Sequence, residues 1–219
     1  MNAAPEAHGV RRVARLSARA LDHTLSLLID LAGRDARVDL RADAYGHGAA
    51  EVESRARARG ITHFVTDDGD VSIADAEDGP EMLAYGFGAD QHPVMRLEGE
   101  VVAVKRVAHD TAVSYGYQYR TTGESTLALV GLGYADGVPR LASSRATVAV
   151  GNVRGIVAGR IAMDQFVVDL RGSSATAGEP AVLWHDAETL AEWCTATERS
   201  AATLTTRLGP RIHRVWDES

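Results

Sequence analysis

The chain has 219 residues, 45% of them hydrophobic, and a formal net charge of −7, so it can bury one generous core or two small ones. That acidic balance, with no clustered basic face, argues against nucleic acid as a partner, and the single cysteine, Cys194, excludes an internal disulfide and a thiolate zinc site. No apolar run approaches the roughly 18 residues that cross a bilayer, so a soluble cytoplasmic protein with a small-molecule or protein partner is expected, and no membrane.

Taken in chain order, the first half reads as βα units. Ala20, Leu21, Thr24, Leu25, Leu28 and Leu31 recur at helical spacing, and Ser17 stands where an N-cap belongs, so a helix is predicted from Ser17 to Leu31. Arg37 to Ala42 reads as a strand and Gly46 and Gly48 as a turn. Ala49 to Arg59 returns to helix until Gly60 ends it, and Ile61 to Val65 is a second short strand. The acidic stretch from Thr66 to Gly79 lacks the alternating carboxylates and closing glutamate of a calcium loop and reads as a solvated helix face.

Beyond about residue 96 the pattern turns to short valine- and isoleucine-rich strands between glycine-bearing turns: 101–107, 126–132, 147–150, 153–161 and 165–170. Two short helices, 188–195 and 200–206, and a last strand, 211–216, complete the chain. The division is therefore into residues 1–95, an α/β part, and 96–219, an all-β part. Histidines 23, 47 and 63 do not have the spacing of a helical ligand pair and imply no metal site.

Four segments carry a resemblance to a known family. Val38-Asp-Leu-Arg-Ala-Asp-Ala-Tyr-Gly-His-Gly48, Val113-Ser-Tyr-Gly116, Gly133-Tyr-Ala-Asp-Gly137 and Gly159-Arg-Ile-Ala-Met-Asp-Gln165 resemble, in order, motifs of the alanine racemases, pyridoxal-phosphate enzymes of fold type III. Residues 96–219 resemble their C-terminal β domain over nearly its whole length. Glu81-Met-Leu-Ala-Tyr-Gly86 resembles the end of their last barrel strand. A (β/α)8 barrel takes about 250 residues, so roughly a hundred or more that would form the intervening strands are missing. The resemblance thus implies a barrel remnant of two to four strands, left open, with edges that need cover.

In that family a lysine carrying the coenzyme stands where this chain has Arg41. A guanidinium stays protonated and offers no free amine to an aldehyde. The chain's one lysine, Lys105, lies far along the sequence in Val101-Val-Ala-Val-Lys-Arg-Val107. The resemblance further implies that Tyr115 is the second of two bases flanking the substrate's α-carbon, reaching into a partner subunit's site. Tyr134 corresponds to a tyrosine narrowing the access channel, Met163 and Asp164 to a loop whose backbone receives the substrate carboxylate, and Tyr45 to a hydroxyl on the coenzyme phosphate. His47 follows from the same motif. An arginine that faces the pyridine nitrogen in the family corresponds to Gly79, and a late tyrosine near the phosphate to Pro210.

A phenol titrates at about 10 unless a cation lies beside it, and Arg41 is the candidate to supply one to Tyr115. The expected activity is then cofactor-independent proton transfer on a carboxylate-bearing metabolite. Tyr115 and Arg41 are its catalytic pair, and Tyr134, Met163, Asp164, Tyr45 and His47 bind substrate, in a homodimer with the site at its interface. Noncovalent pyridoxal phosphate is the weaker cofactor expectation beside none. The alternatives are a noncatalytic oligomerisation or regulatory partner, and a residual amino-acid racemase.

Overall fold

One long strand, β4 (Met95–Val107), organises the molecule, because it changes partners along its length. The computed structural model describes residues 9–67, 80–88 and 91–218. The first half of β4 pairs antiparallel with β1 (Arg12–Ser17) and with β11 (Pro180–Trp184). Its second half pairs with β7 (Ser125–Val130), with a shift of register between Val101 and Ala103. Such a switch demands a bend, and Gly99 sits where any Cβ would lie 2.6 Å from the Leu132 side chain.

Around β4 the sheet closes on itself. From β7 the ladder runs to β10 (Phe166–Asp169), β9 (Val153–Val157), β8 (Thr147–Val150) and β11, and β11 returns to β4. Six antiparallel strands thereby leave no edge within the ring. Valines at 130, 148, 157 and 168 point inward with Phe166, and the Trp184 and Trp193 rings meet edge to face at 5.9 Å. The final strand β12 (His213–Asp217) runs parallel to β1 outside the ring. A short antiparallel pair, β5 (Ala112–Val113) and β6 (Tyr119–Arg120), carries the turn that bears Tyr115.

The α/β part packs on the same core. Helix α1 (Ala18–Ala32) begins where Ser17 Oγ accepts the Ala20 N–H, and Leu21, Thr24, Leu25 and Leu28 are buried. Leu31, counted with that stripe, is instead 67% exposed. Strand β2 (Arg37–Asp39) pairs parallel with β3 (His63–Val65), and between them come the turn α2 (Arg41–Gly46) and helix α3 (Ala49–Ala58). The strand expected over residues 37–42 ends at Asp39 because the chain there enters a left-handed turn. Residues 81–86, which the resemblance implied to be a strand end, lie instead on the 3₁₀ turn Pro80–Tyr85 and the glycine after it. The Thr24 hydroxyl donates to its Ala84 carbonyl at 2.7 Å, and Val94 N–H to its Tyr85 carbonyl, so helix and loop take its hydrogen bonds.

Helices α4 (Ala187–Thr197) and α5 (Ala201–Thr206) lie near their expected positions, each with a side-chain N-cap, Asp186 and Ser200. Cys194 on α4 is half-buried, and burial pushes its thiol up to about 11. The acidic stretch lies, from residue 68 to 79, outside the described residues, and with it Gly79. Among the described residues no cluster of histidine, cysteine and carboxylate is arranged to hold a metal ion, and no helix is long and apolar enough to cross a membrane.

Candidate functional site

The seven candidate side chains fall into two groups, one buried and one exposed. Arg41, Tyr45 and His47 belong to the first. Ala42 to Tyr45 all hold left-handed backbone, φ 52–56°, a conformation that costs about 1–2 kcal/mol for each residue with a Cβ. Fixed partners hold it. Ala49 N–H donates to the Asp43 carboxylate at 2.8 Å, and Arg214 Nε to the Gly46 carbonyl at 2.6 Å. Gly46 (φ 79°) is required, since a Cβ there would lie 2.5 Å from the Thr205 carbonyl oxygen.

This turn carries Arg41 back over the end of β2, onto Asp39. Arg41 Nη2 donates to Asp39 Oδ2 at 2.6 Å and Nε to Oδ1 at 3.0 Å, and the Tyr45 hydroxyl donates to Oδ2 at 2.6 Å. The Tyr85 hydroxyl closes the cluster from above, on the Asp39 carbonyl. Burial by itself would raise the Asp39 pKa, but the Arg41 and Tyr45 hydrogen bonds prevail and hold it below the usual value. Hydrogen bonding to Asp39 raises Arg41, and burial together with Asp39 keeps Tyr45 protonated well past the ordinary phenol range. His47 is fully enclosed, its ring 4.8 Å from that of Tyr85, and burial pushes it down to about 4.

Tyr115, Tyr134, Met163 and Asp164 form the second group, on the outside of the barrel. Tyr115 is 81% exposed at the tip of a turn in which Ser114, Gly116 and Tyr117 have positive φ. The Ser114 hydroxyl donates to the Arg160 carbonyl at 2.7 Å, and a Cβ on Gly159 would lie 2.7 Å from that of Ser114, so the turn is seated tightly. The Arg160 guanidinium stands 6.0 Å from the centre of the Tyr115 ring. Tyr134 N–H donates to the Ala162 carbonyl and Ala135 N–H to that of Met163, both at 3.0 Å, which joins the two loops. Arg211 bridges them, with Nε on buried Asp136 at 2.9 Å and Nη1 on Asp164 at 2.6 Å.

The role expected of Arg41 changes accordingly. Its guanidinium, expected beside Tyr115 as half of a catalytic pair, is held by Asp39 in the interior, and within one chain the cation beside Tyr115 is Arg160. Tyr45 and His47, expected to bind substrate, are enclosed, and the Tyr45 hydroxyl is held by Asp39. Asp39, Asp136, Arg160 and Arg211 escaped the sequence reading. Arg160 lies within a quoted motif and Arg211 next to Pro210, but their partners lie dozens of positions away in the chain, and nothing local signals such pairs.

Comparisons with known proteins follow the same division. The family description "Alanine racemase, C-terminal domain" matches residues 94–216. The alanine racemase of Beutenbergia cavernae is 47% identical over 128 residues, 56% of this chain and 34% of that protein. That of Thermobifida fusca is 44% identical over 148 residues, 63% of this chain and 40% of that protein. These sequence matches thus span between a third and two-fifths of the relatives' own length. Among solved structures, the alanine racemase of Streptomyces coelicolor A3(2) superposes with a TM-score of 0.76 at 25% identity, covering 95% of this chain and 98% of that one. The Bartonella henselae enzyme with covalently bound pyridoxal phosphate gives 0.79 at 15% identity, a likeness of fold, covering 94% and 99%.

These relatives overturn the expectation of a cofactor-free proton-transfer enzyme, and equally that of a noncatalytic partner. Proteins 44–48% identical over the matched segment are named alanine racemases, and a structural neighbour of that name holds covalently bound pyridoxal phosphate, so the relatives run against the expectation of no cofactor. Arg41 bears only on how the coenzyme is attached, and it lies outside residues 94–216, the segment the family description covers. On attachment the chemistry is plain. Position 41 offers no amine, Tyr45 is bound to Asp39, and Lys105 is exposed on β4, so these residues do not fit a coenzyme bonded to this chain at position 41. The match over residues 94–216 covers more than half of the sequence, and by it the chain belongs to the alanine racemase family.

Proposed function

We propose that this chain takes part in amino-acid racemisation, the activity its relatives are named for, by supplying the phenol side of a two-base site. Racemisation through a carbanion needs one group to take a proton from one face of the α-carbon and another to return it on the opposite face. Tyr115 suits one of those roles. The carrying observation is its placement: a phenol 81% exposed on a turn pinned to the barrel, with a guanidinium beside the ring. Such a side chain is presented outward, to a site that another subunit completes.

The face around it favours docking. Tyr117, Tyr134, Leu141 and Met163 are large side chains left exposed, Arg140 lies over the Tyr134 ring, and Arg140, Leu141 and Arg160 line one concavity. Exposed apolar side chains of this size favour association. In a homodimer each phenol would meet a subunit that bears Arg41, whereas against a lysine-bearing racemase subunit one complete site forms. The amine and the coenzyme then come from the partner, and the substrate is a small amino acid.

Three further readings belong to this proposal. Residues 1–95 are a barrel remnant and 96–219 the β domain; Met163, Asp164 and Tyr134 line the approach to the shared site; and the assembly works in the cytoplasm, in keeping with a single cysteine. The test is complementation. An alanine racemase whose own tyrosine in the Val-Ser-Tyr-Gly motif is changed to phenylalanine should regain D-alanine formation when mixed with this chain, but not with its Tyr115→Phe form. Failure of the parent chain to restore activity, with the two subunits shown to associate, would overturn the proposal.

A further inference from the structure

We infer that the cavity between the Tyr134–Leu141 loop and the C-terminal ends of α4 and α5 binds a doubly charged oxyanion of the phosphate class. It has a volume of about 410 Å³, and its walls include Arg140, Arg199 and Arg207 but no carboxylate. Glu198, adjacent in sequence, is engaged by Arg145 at 3.0 Å, and Asp136 is buried among Arg12, Arg211 and the Gly133 N–H. Among the described residues neither Arg199 nor Arg207 has an ion pair, and Arg140 lies over the Tyr134 ring at 5.6 Å. Three forked donors thus share one concavity without an internal anion.

Three guanidiniums without a carboxylate among them favour a ligand with more than one negative charge. Arg199 and Arg207 stand just past α4 and α5, whose last carbonyls offset part of that positive charge. A phosphate dianion compensates more of the remainder than a monocarboxylate and offers the guanidinium forks paired oxygens. The site is also rigid. Gly137 (φ 101°) lies so close to the Arg207 carbonyl that a Cβ would collide with it, and Gly209 N–H donates to the Asp136 carbonyl at 3.0 Å.

Free phosphate and a phosphomonoester share this chemistry, and titration separates them. The full chain is titrated at low ionic strength with inorganic phosphate and with phenyl phosphate, and with sodium chloride as the control for screening. Saturable binding of either phosphate, weakened about tenfold or more in Arg199→Gln/Arg207→Gln, is the expected result. Tighter binding of phenyl phosphate assigns the monoester; equal binding assigns the free ion. Both arginines are exposed, so the variant should melt with the parent. Arg199→Lys/Arg207→Lys, which keeps charge but loses the fork, should recover only part of the affinity. Absence of saturable binding, or equal affinity in the glutamine variant, overturns the inference.

Discussion

Arg41 shows how a side chain's partners decide its role. A buried guanidinium is tolerable only when its charge is matched and its donors are used, and Asp39 does both through two side-chain nitrogens and the Arg41 amide. Tyr45, in the same turn, spends its hydroxyl on the same carboxylate. His47 carries the opposite consequence, because burial outweighs the Ala44 and Tyr45 carbonyls and the Asp43 charge that favour its protonated form. Its folded pKa, pushed down by burial to about 4, lies below the 6.5 of an ordinary imidazole, so the unfolded chain takes up a proton before the folded one. Stability is full above about pH 6.5 and falls as pH drops from there toward pH 4, by about 3 kcal/mol in all. Urea denaturation between pH 7 and pH 4 should show this fall in the parent and little of it in His47→Gln. A parent curve flat across that window would remove His47 as the source.

Elements whose ends carry their own chemistry were the ones legible from sequence. Helix α1 is the clearest, because Ser17 accepts the Ala20 N–H and satisfies a donor that the helix cannot. Ser17→Ala should therefore cost about 1 kcal/mol in thermal or urea unfolding, and Ser17→Asp should restore most of it. An unchanged midpoint in the alanine variant would show that packing alone sets where α1 begins. Helices α4 and α5, expected over 188–195 and 200–206 without their caps being read, begin after Asp186 and Ser200, whose side chains accept the Thr189 and Thr203 N–H. What failed were elements defined by distant partners. Strand β1 alternates Arg15 with buried Ala14 and Leu16, but its arginines obscured that period. Strand β11 opens with Pro180, a residue that reads as a strand breaker unless it stands first. Residues 81–86 resemble a strand end, yet the Ala84 and Tyr85 carbonyls are taken by Thr24 and Val94, and so the segment coils. The candidate site divides likewise. Tyr115, Tyr134, Met163 and Asp164 were legible as motif residues, whereas the Asp39 pairing that encloses Arg41 depends on a left-handed turn that no local pattern announces.

At the scale of the molecule, the closed ring of β4, β7, β10, β9, β8 and β11 has no free edge of its own, so association through the ring uses side chains. The face with Tyr115, Tyr117 and Met163 is the one equipped for it, and at 71% exposure Tyr117 is held outward on a positive-φ turn at φ 49°. If that face closes an assembly, a carboxylate placed at its centre must be buried without a partner, a cost of about 3–5 kcal/mol and a loss of roughly several hundredfold or more in affinity. Tyr117→Glu should then sediment as the 23.3 kDa monomer at concentrations where the parent is larger, while its far-ultraviolet circular dichroism stays that of the parent. The parent's melting temperature should also rise with protein concentration, and the variant's should not, because mass action stabilises only chains that associate. A parent that sediments at 23.3 kDa at every concentration would show that this face waits for a different chain, and the same substitution should then abolish docking to a lysine-bearing racemase.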